Sequence, residues 1–455
     1  MKTILEDYVI FPKVARTGEN TRVHIRPLGR HAAFEAGRRY AVNIIPMGER
    51  GQEPFHPFSP FHPYAEAHGM RELSRSEAAA KRVFRAVEAV ADADGLIFDW
   101  RFPSEQEYVI EVLRAEDERR VAALRVYAVR EDLYGLLPLK GNMHTHSFRS
   151  DGREAPEIVA AVYRKAGYDY IALTDHGQYA PSLEAIRAYD GAPIDMRLYP
   201  GEEVHAPDNN IHIINFGGES SVNDWMRENP LEYYRQCEER RAALGLDDSF
   251  TAFEYASSQW VFDQIRAKGG MAILAHPNWI WCDAYNIRTE IYERFLREGG
   301  YDALELLNGG NTPEENEMQV NLWQEGRAKG SAAIATGSDD SHGAINGQWF
   351  DIAWTYVLAE TNDRDAIIGA IRARRCVAAL RYHGESTHYY GDARMTAYFG
   401  FLDREYFPLH DELCVEEGRL MKAWVCGDPD AKARLAQLRG QTLRLARRLV
   451  GASWE

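Results

Sequence analysis

"GYDYIALTDHG", residues 167–177, sets a short apolar run between a glycine and an acid–imidazole pair. The run is continuous rather than alternating, the pattern of a strand covered on both faces, as in a parallel sheet. Just before it, residues 155–166 show amphipathic helical spacing, with Pro156 in the first turn and Gly167 as the stop. Further on, "HIINFGG", "GMAILAHP", "DALELLN" and "AAIATGSDD" repeat the apolar run. Helical segments separate them, one over residues 257–268 closed by Gly269 and Gly270. Strand and helix in alternation imply an α/β fold, either a barrel or a doubly wound sheet, with all five runs as buried parallel strands.

Outward from this region the pattern changes on both sides. Residues 1–138 read as a β-rich, sandwich-like N-terminal domain. "TRVHIRPLG", "RRYAVNIIPMG", "GLIFDWRF", "EYVIEVLRA" and "RVAALRVYAV" alternate apolar and polar residues between turn formers. "SRSEAAAKRVFRAVEAV" fits helix or strand equally. "FHPFSPFHPYAEAH", with His56, His62 and His68, reads as a Pro-rich surface loop, the alternative being a flap or an extra metal site. Residues 386–455 read as a C-terminal strand and helix extension packing on the rest. "RMTAYFGFL" and "RLMKAWVCG" are its expected strands, and "KARLAQLRGQTLRLARRLV" is a basic helix whose Arg stripe is read as a solvated face, the alternative being docking on an acidic neighbour or partner.

Apolar residues make up 45% of the 455 positions and charged residues 27%, a globular balance. With 53 basic against 69 acidic residues the formal charge is −16, which argues against binding long nucleic acid or an anionic membrane surface. A small anionic substrate remains compatible, because bound metal ions reverse the local field. Five cysteines, odd in number and never in a CxxC pair, fit reduced structural thiols in the cytoplasm. Glu6 and Asp7 interrupt the start where a signal peptide would need an apolar core, and no run is long enough to span a bilayer.

Potential metal donors end the apolar runs. "HTHSFRSDG" offers His144 and His146, two apart and so on one face of a strand, then Asp151 in a turn. "ALTDHG" offers Asp175 and His176, and "YPGEEVH" offers Glu202, Glu203 and His205. His212, His276 and the "GSDDSH" of residues 337–342 complete the set. A lone histidine at a strand end is usually a hydrogen-bonding residue. The coincidence of many at the carboxyl ends of consecutive strands, where barrel enzymes build their sites, favours a metal centre. No cysteine takes part, which excludes iron–sulfur and Cys-type zinc sites and leaves Zn²⁺, Mn²⁺ or Fe.

Taken in order, HxHxxxSDG, TDHG, GxE, a later His, AHP and DxH resemble the PHP superfamily of polymerase and histidinol phosphatase domains, over residues 140–342 and in character to about 385. The resemblance implies a distorted (β/α)7 TIM-like barrel over residues 139–385 that holds two to three divalent ions. It places the ligands on His144, His146, Asp151, His176, Glu203, His212, His276, Asp340 and His342. One ion would take His144, His146 and Asp340, with Glu203 bridging to a second held by His212 and His276. Asp151, His176 and His342 would hold the third. The nucleophile would be a metal-bridging hydroxide held by Glu203.

In GSDDSH the DxH spacing selects Asp340 and leaves Asp339 to cap the turn, whereas the family phrase GSDxH would select Asp339. An extended backbone would put Asp340 and His342 on one face. Asp175 is expected as an acceptor behind the ligands or as a strand-end cap, and Glu202 points away. Gln178, His205, Asn278 and Asn308 are substrate contacts or structural residues. Arg149, Arg153, Arg381 and His383 are phosphate-gripping candidates.

The expected function is hydrolysis of a small phosphomonoester or nucleotide. The alternative is a carbamate or aryl-ester metallohydrolase, since a β-rich segment ahead of the barrel is similar to the carbaryl-hydrolase branch. A metal-stabilised binding protein without turnover is the third reading. A cationic pocket would favour phosphate and an aromatic one the ester.

Overall fold

A computed structural model describes residues 7–29, 32–48, 85–92 and 94–451. The chain divides into two compact units. One comprises Leu137–Arg444; the other takes the described residues up to 136 together with residues 445–451. Residues 55–68, expected as a histidine-bearing surface loop, lie outside the described residues.

In the N-terminal unit a three-stranded antiparallel sheet orders Tyr8–Phe11, Asn20–Pro27 and Leu96–Arg101. A five-stranded sheet orders Val14–Arg16, Arg120–Val129, Gln106–Arg114, Arg39–Pro46 and Arg85–Val90. The Arg39–Pro46 strand alternates regularly, burying Tyr40, Val42 and Ile44. Those side chains meet Ile10, Val23, Ile25 and Phe98 of the smaller sheet in one core, as period-two patterning dictates. The end of the "SRSEAAAKRVFRAVEAV" stretch, Arg85–Val90, is strand. Residues 445–451 belong here because Lys13 N donates to Leu449 O at 2.8 Å.

The larger unit is mixed α/β. One six-stranded sheet runs Arg197–Tyr199, Tyr170–Ala172, Leu137–Asn142, Ala353–Ala359, Cys376–Leu380, His388–Gly391. A five-stranded sheet runs Gly201–His205, His212–Phe216, Met271–Leu274, Ala303–Asn308, Ala335–Ser338. The hydrogen-bonded ladders of this unit fall into two sheets. Two parallel bridges, His176 to Glu203 and Thr145 to Ser341, tie the sheets together at the ends that carry the imidazoles. Helices alternate with the strands as expected. The helix expected at 155–166 spans Pro156–Lys165, and the one expected at 257–268 begins earlier, at Phe250–Ala267.

Two expectations fail in this unit. His212–Phe216, expected parallel, pairs antiparallel with both neighbours. Only residues 206–211 separate it from Gly201–His205, too short a link for the crossover that parallel strands need. The expected C-terminal strands are helices, Ala393–Glu405 and Phe407–Val425. Met395, Tyr398, Phe399 and Leu402 are buried at spacings of three and four, a helical stripe rather than an alternation. The basic tail breaks into Ala431–Leu438 and Gln441–Val450 around Gly440, whose φ is +76°. No helix among the described residues is long and apolar enough to cross a membrane.

Candidate metal centre

His144 and His146 follow directly on the strand Leu137–Asn142, and the Thr145 bridge to Ser341 keeps the chain extended between them. Both imidazoles therefore emerge on one side, their Nε2 atoms 3.2 Å apart. The turn that follows is tight: a Cβ on Gly152 would lie 2.7 Å from His146 O, so glycine is required after Asp151. Asp175 fixes this turn from below, accepting from Ser147 N and Oγ at 2.9 and 2.8 Å and from Ser150 N and Oγ at 3.1 and 2.7 Å. It touches no imidazole itself; Ser150 Oγ, 3.4 Å from His146 Nδ1, is the link.

Glu203 is the hub. It is fully buried, and imidazoles approach both carboxylate oxygens. His212 Nδ1 and His276 Nε2 face Oε1 at 2.8 and 3.3 Å. His176 Nδ1, His144 Nε2 and His146 Nε2 face Oε2 at 2.6, 3.5 and 3.6 Å. The reversed strand explains His212: antiparallel pairing brings its first residue to the end where parallel strands deliver their last. Burial disfavours a charged Glu203, yet the imidazoles, His176 foremost, hold its pKa well below the ordinary range. Burial also tends to lower His176, but Glu203 and Asp151 outweigh it and lift the group to about 10. His212 goes the other way, pushed to about 4 by burial against the pull of Glu203, and so is a neutral donor at pH 7.

The two aspartates of GSDDSH separate cleanly. Asp340 Oδ1 lies 3.1 Å from His144 Nε2 and 2.9 Å from His146 Nε2. Asp339 points the opposite way, accepting the backbone N–H groups of Asp351, Ile352 and Ala353, each at 2.9 Å. Asp340 reaches the imidazoles through a left-handed backbone, φ +51°, and not through the extended one expected. His342 Nδ1 folds back to Asp340 O at 2.8 Å, while its Nε2 faces Asp151 Oδ2 at 3.2 Å. Asp151 Oδ2 is also 3.4 Å from His176 Nε2, so the third expected group converges too.

The donors form compact clusters, among them His146–Asp151–His176–His342, His144–His146–Glu203 and Glu203–His212–His276. Buried Glu203 Oε2 and His212 Nδ1 lie within ion-pair distance of partners but are not aligned for any hydrogen bond. Imidazole and carboxylate donors that converge in this way could hold a divalent cation.

One residue escaped the sequence reading. Glu305, in the apolar strand "DALELLN", is buried, with Oε1 3.0 Å from His144 Nδ1. Its Oε2 accepts from His276 N at 3.0 Å and Asn308 Nδ2 at 3.1 Å. A lone charge inside a buried strand was the available signal. Glu305 orients His144, so Glu305→Gln is expected to weaken metal affinity by roughly 10- to 100-fold in chelator competition. Unchanged affinity would remove it from the site.

Asp151, His176, His212, His276, Asp340 and His342 line a cleft of about 890 Å³. Trp279, Trp281, Tyr285 and Trp349 share its wall with Arg153 and Arg288. Trp281 and Tyr285 stand on a small hairpin, Ile280–Trp281 against Ala284–Tyr285, whose turn residues Cys282 and Asp283 both have positive φ. Of the expected substrate residues, Arg153 and His205 line this cleft. Arg149 is instead engaged by Glu184 at 2.9 and 2.7 Å, and Gln178 donates to Arg149 O at 2.7 Å. Arg381 stacks over Trp354, and His383 is exposed away from the cleft lining. Asn278 is buried, its N donating to Gln319 at 3.0 Å. Asn308 supports Asp340, with Nδ2 3.3 Å from Oδ2. Glu202 faces away from the imidazoles, accepting from Val222 N at 2.6 Å and Ser221 Oγ at 2.7 Å.

No family model matches the chain. Over 91 residues it is 34% identical to the DNA polymerase/3'-5' exonuclease PolX of Bacillus subtilis, a match covering 19% of this chain and 16% of that protein. A two-domain protein from Bacteroides vulgatus containing a predicted PHP-like metal-dependent phosphoesterase aligns at 20% identity and a TM-score of 0.38, covering 55% of this chain and 66% of that one. An amidohydrolase from Chromobacterium violaceum aligns at 20% identity and a TM-score of 0.30, covering 45% and 87%.

Proposed function

We propose that this chain is a metal-dependent hydrolase of a small phosphoester, a phosphomonoester or nucleotide, with two to three divalent ions held by the nine residues from His144 to His342 named above. The observation that carries the reading is Glu203, a fully buried carboxylate with imidazoles on both oxygens. That placement suits a ligand shared between ions. When bound, such ions lower the pKa of water and polarise the attacked group. The chain's own residues do the rest. Asp340 and Glu203 hold the imidazoles in place, and Glu305 keeps the His144 ring oriented. Arg153 in the cleft wall supplies positive charge for a phosphoryl group in an otherwise acidic protein, while Arg288 beside it is paired with Glu254 at 3.1 Å.

The bridges at His176 and Thr145 support a (β/α)7-like closure around the site. A small anionic substrate in the cytoplasm suits the net charge better than long nucleic acid or a membrane. One observation favours the second reading, an aryl ester or carbamate: three tryptophans and a tyrosine line the same cleft.

Protein purified without chelator is expected to carry about two to three equivalents of metal and to hydrolyse phosphomonoesters with Mn²⁺ or Zn²⁺. His176→Ala should lose that hydrolysis. Turnover of aryl esters with none of phosphoesters would select the second reading, and less than one equivalent of metal would overturn both.

A further inference from the structure

His205 is the sixth imidazole close to Glu203, and the nine-residue ligand set does not use it. Its position follows from the hairpin. Residues two apart on a strand share a face, so Glu203 and His205 project together. The antiparallel register sets His205 directly opposite His212, which makes their side chains neighbours. The two rings stack with centroids 4.1 Å apart. His205 Nε2 lies 2.9 Å from His176 Nδ1 and 3.7 Å from Glu203 Oε2. His176 Nδ1 is itself 2.6 Å from that same oxygen, which is buried and has no aligned hydrogen-bond donor.

Two imidazole nitrogens and a carboxylate oxygen thus converge on one point, with His205 on the cleft side. The hairpin is also braced there. His205 N donates to Asn223 Oδ1 at 3.1 Å, and Asn223 Nδ2 donates to Glu202 at 2.8 Å. A nitrogen-rich position of this kind suits a borderline cation such as Zn²⁺ over Mg²⁺ or Ca²⁺.

We infer that His205 is a further metal donor, forming with His176 Nδ1 and Glu203 Oε2 a Zn²⁺-type position on the cleft side of Glu203, in which His176 ligates this ion alone and its Nε2–H faces Asp151 Oδ2 at 3.4 Å. The inference rests on the metal-dependent reading above and adds to it a tenth donor. It gives the ion nearest the cleft a strong imidazole ligand where a substrate would approach.

The test is metal binding, read without turnover. Zn²⁺ is titrated into wild type, His205→Ala and His205→Asp against a colorimetric chelator, and Co²⁺ absorption spectra are recorded for each. In His205→Ala the weakest-held equivalent should lose at least about tenfold in affinity, the least that even an outer partner of a metal is worth. Its Co²⁺ spectrum should change as well. His205→Asp, which restores a donor, should recover binding with a shift in preference from Zn²⁺ toward Mn²⁺. Wild-type affinity and an unchanged spectrum in His205→Ala would overturn the inference while leaving the hydrolase reading intact. Equal weakening in the Ala and Asp variants would assign His205 to structure and overturn it too. Wild type with less than one equivalent would instead sink the hydrolase reading itself.

Discussion

Glu203→Gln is expected to have the largest effect of any single substitution. Activity should fall by well over the roughly 10- to 100-fold associated with residues behind a metal, because this carboxylate faces imidazoles on both sides. Metal content, measured on protein purified without chelator, should drop with it. A second effect belongs to the fold. After chelation, His176 and His144 owe their raised pKa values to carboxylates that outweigh burial, Glu203 among them. Removing one partner of a buried charge cluster costs about 3–5 kcal/mol, so the chelated variant should melt well below chelated wild type. A variant that keeps both its metal and its activity would show that Glu203 is not shared between ions.

The second large effect separates neighbours. Asp340→Asn should release the ion expected between His144 and His146 and lower activity by about a hundredfold or more. Asp339→Asn should keep its metal and lose stability instead. Its carboxylate accepts three backbone N–H groups and also stands 3.1 Å from the Tyr163 hydroxyl. An amide turns one acceptor into a donor and leaves buried N–H groups unpaired, at about 1–3 kcal/mol each. Metal analysis and thermal unfolding of the two variants should therefore move in opposite order. Greater metal loss from Asp339→Asn would reverse the assignment.

The parts of the site that were legible in the sequence are those set by local period. His144 and His146 share a side because the chain stays extended between them, and the buried runs at 170–172 and 271–274 are strands because they are continuously apolar. Strand direction was not legible. Whether His212 begins or ends its strand at the site depends on pairing, which apolar runs do not encode. Asp340 was selected by spacing, but the left-handed turn that delivers it is a tertiary outcome. Arg149, in a turn, looked free until Glu184, on the helix Ala180–Ala188, took it. In the tail, the aromatic residues of "RMTAYFGFL" suggested a strand, and only the three-and-four spacing of its buried members reveals a helix.

The hairpin formed by Gly201–His205 and His212–Phe216 also bears on the order in which the centre can assemble. Glu203, His205 and His212 meet through a short local turn, and local hairpins close in about 1–10 μs. His146 and Asp340 stand 194 positions apart and meet only when distant segments are bridged, which is the slow part of folding. On a ribosome the hairpin emerges and pairs long before Asp340 has been made. The nascent chain therefore carries His144, His146, His176 and the Glu203 hairpin first, and an ion taken up there would be in place to gather His276, Asp340 and His342 as the later strands arrive.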